Sequence, residues 1–368
     1  MGKWELVRLG DVLDYEQPTK YIVNSTNYSD AFSIPVLTAG QSFTLGYTDE
    51  TDNIFSEGLP VIIFDDFTTA IKYVDFPFKV KSSAMKILKA QKAADIKYLY
   101  YFMSTIKTDT ELHKRYWISQ YSNLKISLPP LPVQQQIANV LDRVSTLIKK
   151  RKAQIAKLNL LVKSQFIEMF GDVSGDNMVE LKDICSIITD GTHQPPKFIS
   201  TGIPFLLVSN VVDNKLTFET DRFISREDYE ALIKRTPLEV GDILLTTVGS
   251  YGNPAIVTSE REFCFQRHIA YLKPKQELVI SAYLHAAFLS DFVKQQIDVK
   301  IKGIAQKTLN LSELKTIGVH LPPLPLQNRF AEFVRAVDKS KSAIQQGLEK
   351  LELLYKSLIQ KCFCGEVF

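Results

Sequence analysis

The sequence predicts an α+β protein in which two mixed α/β domains are separated by a two-helix antiparallel coiled coil, pseudo-two-fold and cyclic in layout. Three observations predict it. A block LPPLPVQQQI from Leu128 recurs as LPPLPLQNRF from Leu321. The same offset of 193 residues carries KLNLLVKS from Lys157 onto KLELLYKS from Lys350, with six identities in eight, so the two following helices share one length. The intervening segments hold short apolar, β-branched runs bounded by Gly, Pro and Asn, the pattern of strands. A long repeat fixes the architecture before any local reading. It divides the chain into domain, helix, domain and helix at 1–128, 129–171, 172–321 and 322–368.

The helices are predicted over about 132–170 and 325–362. In the first, apolar residues fall at Val133, Ile137, Val140, Val144, Leu147, Ile155, Leu158 and Val162. In the second they fall at Leu326, Phe330, Phe333, Val337, Ile344, Leu348, Leu351, Tyr355 and Leu358. Steps of three and four make a heptad seam, whose expected coiled-coil contacts are Val140, Val144, Leu147, Leu158, Val162, Val337, Ile344, Leu351 and Leu358. The prolines suit a rigid, extended entry. Phe170-Gly171-Asp172 and Cys364-Gly365-Glu366 suit left-handed C-terminal caps. About 38 residues span roughly 57 Å. The second domain joins the end of one helix to the start of the other, so antiparallel pairing leaves those ends adjacent. A domain is then expected at either end of a rigid spacer.

The two domains read as diverged relatives. VRLGDV from Val7 resembles VELKDI from Val179, IPVLTAG from Ile34 resembles IPFLLVS from Ile203, and GLPVIIF from Gly58 resembles VGDILLT from Val240. Strands are expected at 61–64, 84–88, 204–208, 243–247 and 269–272. Tyr98-Leu99 and Tyr283-Leu284 each open an expected helix, at about 95–106 and 280–296.

A composition of 45% hydrophobic and 23% charged residues is that of a soluble globular protein. Apolar runs are too short for a membrane span, and the N-terminus MGKWELVRLGD lacks the apolar core of a signal peptide. Cys185, Cys264, Cys362 and Cys364 show no CxxC pair, which predicts a reduced, cytoplasmic protein with no structural zinc.

Two divergent domains on a duplicated spacer predict a two-headed reader, and the polar loops suit nucleic acid. In the first head the candidates are Thr38, Gln41, Thr44, Tyr47, Lys72 and Ser83, beside Asp65-Asp66-Phe67 and Tyr116-Trp117. In the second they are Thr192, His193, Thr247, Ser250, Tyr251, Gln266, Arg267, His268, Gln306 and Lys307. Arg and Gln side chains make bidentate contacts with base edges, and Gly lets backbone approach phosphate. A net charge of +3 gives no general attraction, so binding needs local basic patches or basic partners.

Catalytic and metal-ligating sets are not expected. An adenine methyltransferase needs a D/N-P-P-Y/F/W element, whereas this chain has Leu-Pro-Pro-Leu twice and Gln194-Pro195-Pro196-Lys197. No GxxxxGK[ST] loop is present. Asp172 or Asp176 with Glu180-Leu181-Lys182 is a loose match to a nuclease set and reads better as a strand entry. His113, His193, His268, His285 and His320 lack ligand spacing. The alternatives are a stand-alone DNA enzyme such as a nuclease, and a two-headed protein-binding scaffold.

The order variable domain, LPPLP-x-Q helix, variable domain, LPPLP-x-Q helix resembles the specificity (S) subunit of type I restriction–modification systems. GDILLTTVGSYGNPAIV from Gly241, Gly303-Ile304-Ala305-Gln306 and TAGQSFTLGYTDE from Thr38 resemble that family's target-recognition domains. The resemblance covers nearly the whole chain. It implies two target-recognition domains that each read one half of a bipartite, asymmetric double-stranded DNA site. It also implies a spacer acting as a ruler, two methyltransferase (modification) subunits on the helices, and restriction/translocase subunits. S-adenosylmethionine, ATP and Mg are then expected in the partners, with no cofactor in this chain. Half-sites on one face of B-DNA lie about 34 Å apart per turn, within the reach of such a spacer. One departure is that the first head shows only WISQYSNLK where the second has GIAQKTLNLSEL.

Overall fold

The computed structural model describes residues 4–38, 43–106, 116–171, 178–194, 196–303 and 307–367. Gln41, Gln306, Asp172 and Asp176 lie outside the described residues. The chain divides into two compact units, Met1–Lys152 with Gln346–Phe368, and Ala153–Gln345.

In chain order the first elements are β1 (Glu5–Arg8), β2 (Leu13–Glu16), β3 (Ile34–Leu37), β4 (Thr44–Thr48), β5 (Val61–Asp65), β6 (Ile71–Val74), β7 (Lys79–Val80) and β8 (Met85–Ala90). They are followed by α1 (Ile96–Met103), the single turn α2 (Tyr116–Ser119), β9 (Lys125–Leu128) and the long helix α3 (Leu131–Phe170). Next come β10 (Met178–Glu180), α4 (Leu181–Ile184), β11 (Cys185–Asp190), β12 (Ile203–Leu206), β13 (Val211–Val212), β14 (Lys215–Leu216), β15 (Phe223–Ile224) and α5 (Arg226–Leu232). The chain closes with β16 (Ile243–Thr246), β17 (Pro254–Ile256), β18 (Cys264–Phe265), β19 (Ile269–Pro274), α6 (Ser281–Leu289), α7 (Asp291–Lys300), α8 (Leu311–Lys315), β20 (Gly318–His320) and α9 (Leu324–Phe363).

The first unit holds an antiparallel sheet in the order β2-β8-β5-β6 and a second sheet β4-β3-β7 whose β3 and β7 are parallel. The second unit has the same pattern: β11-β19-β16-β17, and β15-β12-β18 with β12 and β18 parallel. A two-stranded ribbon brings each unit's first strand onto the strand that precedes its proline block, β1 on β9 and β10 on β20. The segments paired by sequence resemblance therefore occupy matching strands. The helix expected at 280–296 is two helices. Ser290 is extended (ψ 149°) and its hydroxyl accepts from Val293 N, so it ends α6 and caps α7.

Matching hydrogen bonds correct the reading of WISQYSNLK. Tyr116 N donates to Asp66 O at 3.0 Å and Leu309 N to Thr247 O at 2.8 Å; Leu9 N donates to Leu124 O and Leu181 N to Ile317 O. Tyr116 and Leu309, like Leu124 and Ile317, are 193 residues apart. Residues 116–124 are thus the counterpart of 309–317, built from different side chains. The offset begins well ahead of the proline block.

The reason for glutamine in LPPLP-x-Q is visible in each unit. Gln134 is fully buried: its Oε1 accepts from Asp95 N at 2.8 Å, and its Nε2 donates to Pro129 O at 2.7 Å and Ala93 O at 3.1 Å. Gln327, also fully buried, accepts from Ile280 N at 2.8 Å and donates to Pro322 O at 2.8 Å and Leu278 O at 3.1 Å. One carboxamide supplies the acceptor and both donors that these buried backbone groups require. A buried tyrosine completes each joint: Tyr98 donates to Ser127 O at 2.6 Å, and Tyr283 to His320 O at 2.7 Å.

Helix pairing is antiparallel within each unit. In the first, Ile137, Ala138 and Leu141 near the start of α3 share a core with Cys362, Tyr355, Leu358 and Phe363 near the end of α9, and Lys152 pairs with Glu352 at 2.8 Å. In the second, Phe166 and Phe170 near the end of α3 pack on Phe330 near the start of α9, and Lys341 donates to Asn159. Phe170 lies edge-on to Tyr283 at 4.8 Å, and its counterpart Phe363 lies 5.3 Å from Tyr98. Gly171 and Gly365, at φ of 75° and 74°, supply the left-handed caps. Of the expected seam residues, Val337 is buried, and Val140, Val144, Leu158, Val162, Ile344, Leu351 and Leu358 are half-buried. Leu147 departs from the expectation at 46% exposed, whereas Leu348 is buried. Among the described residues, no helix is long and apolar enough to cross a membrane.

Replacing Gln134 or Gln327 with Leu strands buried backbone groups, and each change is expected to lower stability by about 1–3 kcal/mol. Chemical denaturation measures this; an unmoved midpoint in both variants would show that the joint does not depend on the carboxamide.

Candidate nucleic-acid interface

In the second unit the sequence-selected residues gather at one end of the four-stranded sheet. Asp190 ends β11 opposite Ala270, and Thr246 ends β16 opposite Ile269, the first residue of β19. The loops leaving these strand ends form a rim. Gly191 allows the closest approach: a Cβ there would stand 2.2 Å from Phe265 O and 2.5 Å from Gln266 O. With that approach, Thr192 N donates to Phe265 O and Thr192 O accepts from Arg267 N, both at 3.0 Å. His193, Ser250, Arg267 and Lys307 are exposed on the rim, and Thr192, Tyr251, Gln266 and His268 are half-buried in it.

The loop from Ser250 to Asn253 is held by its own asparagine. Asn253 Nδ2 donates to Ser250 O at 2.9 Å and Thr246 Oγ1 at 3.3 Å, while Tyr251 donates to Asp298 at 3.0 Å. Gly249 N donates to Lys307 O, and the Lys307 ammonium lies 5.9 Å from the Tyr251 ring centre. Thr247 is a correction. It is 5% exposed, and its backbone groups bind His268 O and Leu309 N, so it props the rim from below. Arg267 Nε donates to His268 Nε2 at 3.3 Å. Burial, aided by the Arg267 charge, holds the His268 pKa below its ordinary 6.5, in keeping with an unprotonated Nε2.

Sequence reading missed two rim residues. Arg235, from the coil after α5, forms an ion pair with Asp190, which also accepts from His193 at 2.9 Å. Asp190 opens the candidate loop TDGTHQPPK but reads there as a strand-end acid, Arg235 falls in no Gly-rich or amide-rich loop, and their closeness exists only in the fold. Asp190 lines a shallow depression of about 260 Å³ with Arg267 and His268, and its partners His193 and Arg235 line another of about 290 Å³.

The matching rim of the first unit has different chemistry. Thr44, Tyr47, Lys72 and Ser83 are exposed and Thr38 is half-buried; the Lys72 ammonium lies 5.8 Å from the Phe43 ring centre. Asp65, Asp66, Tyr116 and Trp117 are corrections, since all are buried. Asp65 closes the turn after β5 by accepting from Phe67 N and from the Thr68 hydroxyl at 2.6 Å. Asp66 accepts from Trp117 N at 2.8 Å and pairs with buried Lys86 at 3.4 Å. These acids hold the rim together, leaving Phe67, 40% exposed, as the surface residue of that group.

Each rim and each glutamine joint lie off opposite ends of one strand. β8 runs from the rim at Met85 to Ala90, just before Ala93, and β19 runs from the rim at Ile269 to Pro274, before Leu278.

Comparison with known proteins gives this arrangement a family. The model of the type I restriction modification DNA specificity domain matches residues 1–158 and 174–353. The EcoR124I/EcoR124II type I restriction enzyme specificity subunit of Escherichia coli is 45% identical over 163 residues, which are 41% of this chain and 40% of that subunit. The MjaVIII specificity subunit of Methanocaldococcus jannaschii is 24% identical over 396 aligned positions, covering 99% of this chain and 93% of that one. Among solved structures, the type I restriction–modification S subunit from M. genitalium aligns with a TM-score of 0.62 at 15% identity, over 98% of this chain and 96% of that one. A chain from a structural study of type I R-M complex assembly and conformational transition aligns at 0.50 and 19% identity, over 100% and 98%. The chain belongs to the type I restriction–modification DNA specificity family.

Proposed function

We propose that this chain is the DNA-reading specificity subunit of a type I restriction–modification complex and is itself non-catalytic. The carrying observation is a frame repeated at a constant offset, with the same buried glutamine joint in each unit, beneath two rims of matching topology and different side chains. An unchanging frame with unlike rims suits a bipartite, asymmetric site, one half to each head. The second head reads its half with Thr192, His193, Ser250, Tyr251, Gln266, Arg267, His268, Gln306 and Lys307. The first head uses Thr38, Gln41, Thr44, Tyr47, Lys72 and Ser83. The subunit works in the cytoplasm beside two methyltransferase subunits, which hold S-adenosylmethionine, and restriction/translocase subunits, which use ATP and Mg.

The long helices supply a surface for a repeated partner. Leu160 and Leu161 on α3 are 63% and 45% exposed, and their counterparts Leu353 and Leu354 on α9 are 71% and 53% exposed. The same dipeptide, exposed twice at an offset of 193, fits two copies of one methyltransferase.

Mapping methylated adenine in cells expressing this chain with its methyltransferase is expected to give a split, asymmetric motif that vanishes when this chain is deleted. A motif that survives the deletion would sink the assignment. Leu160→Asp with Leu161→Asp is expected to reduce methyltransferase stoichiometry from two to one, and the matching pair of changes at 353 and 354 to remove the other copy. Mass photometry reads this, and two bound copies in each variant would place the docking surface elsewhere. His268 resists protonation in the folded state, so its contribution to stability is present above pH 6.5 and is lost as pH falls below it. His268→Gln keeps an acceptor for Arg267 without titrating, and its stability is expected to fall less on mild acidification; equal slopes would refute the neutral-imidazole assignment.

A further inference from the structure

The rim of the second head contains one charged cluster that general DNA attraction does not explain. Asp190 has a side chain only 13% exposed, yet it sits on a rim whose exposed side chains include Arg235, Arg267 and Lys307. Its Oδ2 accepts from His193 Nε2 at 2.9 Å, and its Oδ1 accepts from Arg235 Nη2. The other flank of Asp190's strand adds a hydroxyl: Thr189 Oγ1 accepts from Arg235 Nε at 3.4 Å and Nη2 at 3.3 Å. The Arg235 side chain remains 52% exposed, and no hydrogen bond ties down its Nη1 among the described residues.

A carboxylate beside an arginine offsets its charge and weakens its pull on phosphate. A phosphate contact needs the charge and tolerates a loosely held side chain. A base-edge contact has the reverse requirement, because a guanidinium donor reaches a guanine acceptor only when the planar group is aimed. The Asp190 and Thr189 bonds hold Nε and Nη2, giving up general affinity for a fixed guanidinium that presents Nη1.

We infer that Arg235 is a specificity-determining residue whose free Nη1 donates to the N7 or O6 edge of a guanine in the second head's half-site, and that Asp190 is the positioning residue that aims it. The inference rests on the DNA-reading assignment and adds to it the identity of one base pair. His193 shares the same carboxylate and holds Asp190 from the other side.

The test uses the full chain with its methyltransferase, first mapping the wild-type methylation motif and then measuring competition by duplexes substituted at each base. A wild type without a split motif would defeat the DNA-reading assignment itself. Given a wild-type motif, Arg235→Ala and Arg235→Lys are each expected to lose discrimination at one G·C pair by about 5- to 150-fold, in one half only. Lys retains the charge without the planar guanidinium that Asp190 and Thr189 fix, so the lysine variant keeps more total affinity. Asp190→Asn is expected to relax the same pair to a lesser degree, with the other half still read normally. A half-site lacking any G·C pair, undiminished discrimination in both arginine variants, or an even loss across all sequences with a shallower salt dependence would overturn the inference. A lower melting temperature in Asp190→Asn with discrimination intact would overturn the positioning role. Normal reading of the other half shows that a variant is folded, and the lysine variant serves if the alanine variant is not.

Discussion

The rest of the molecule depends on two buried carboxamides. Each proline block enters its long helix as extended chain, and each head must present backbone groups to that entry without water to satisfy them. Proline carbonyls accept hydrogen bonds while proline nitrogens donate none, so the junction has more acceptors than donors. Gln134 and Gln327 restore the balance with two donors and one acceptor apiece. A shorter amide would not span the distance from the first helical turn to both loops, and a carboxylate would lack the donors. The tyrosines at 98 and 283 and the phenylalanines at 170 and 363 then pack around the same joint. The direction in which each head leaves its helix follows from this small set of contacts.

Much of this was legible in the residues, for physical reasons that differ by element. The helices announced themselves through apolar periodicity and a repeat long enough to exceed chance. Strands such as β5, Val61–Asp65, showed as continuous apolar runs because both faces are covered. The break at Ser290 was hidden because an apolar pattern continues across it, and only the backbone turn and the serine cap divide the two helices. The equivalence of Tyr116 with Leu309 was hidden too. It resides in backbone hydrogen bonds to Asp66 and Thr247, which different side chains serve equally well.

The rims show the same limit more sharply. The polar and glycine-rich loops selected in the second head gather at one end of its sheet, and strand pairing explains why loops far apart in sequence meet there. Residue type alone did not separate the surface of the rim from its supports. Asp65, Asp66, Thr247 and Trp117 look like surface chemistry in the sequence and are buried hydrogen-bonding groups in the fold. Arg235 looks like an ordinary helix-end charge, and its partnership with Asp190 exists only in three dimensions.

Placing rim and joint off opposite ends of β8, and again of β19, has a consequence for how such a protein diversifies. Six residues of extended strand put about 20 Å of covered sheet between the two. A substitution in a rim loop therefore alters the surface offered to DNA without disturbing the mounting of the head. Mutational robustness in one region and latitude in the other follow from the same strand. A lineage is then free to sample new recognition chemistry on either rim while its helices keep their register.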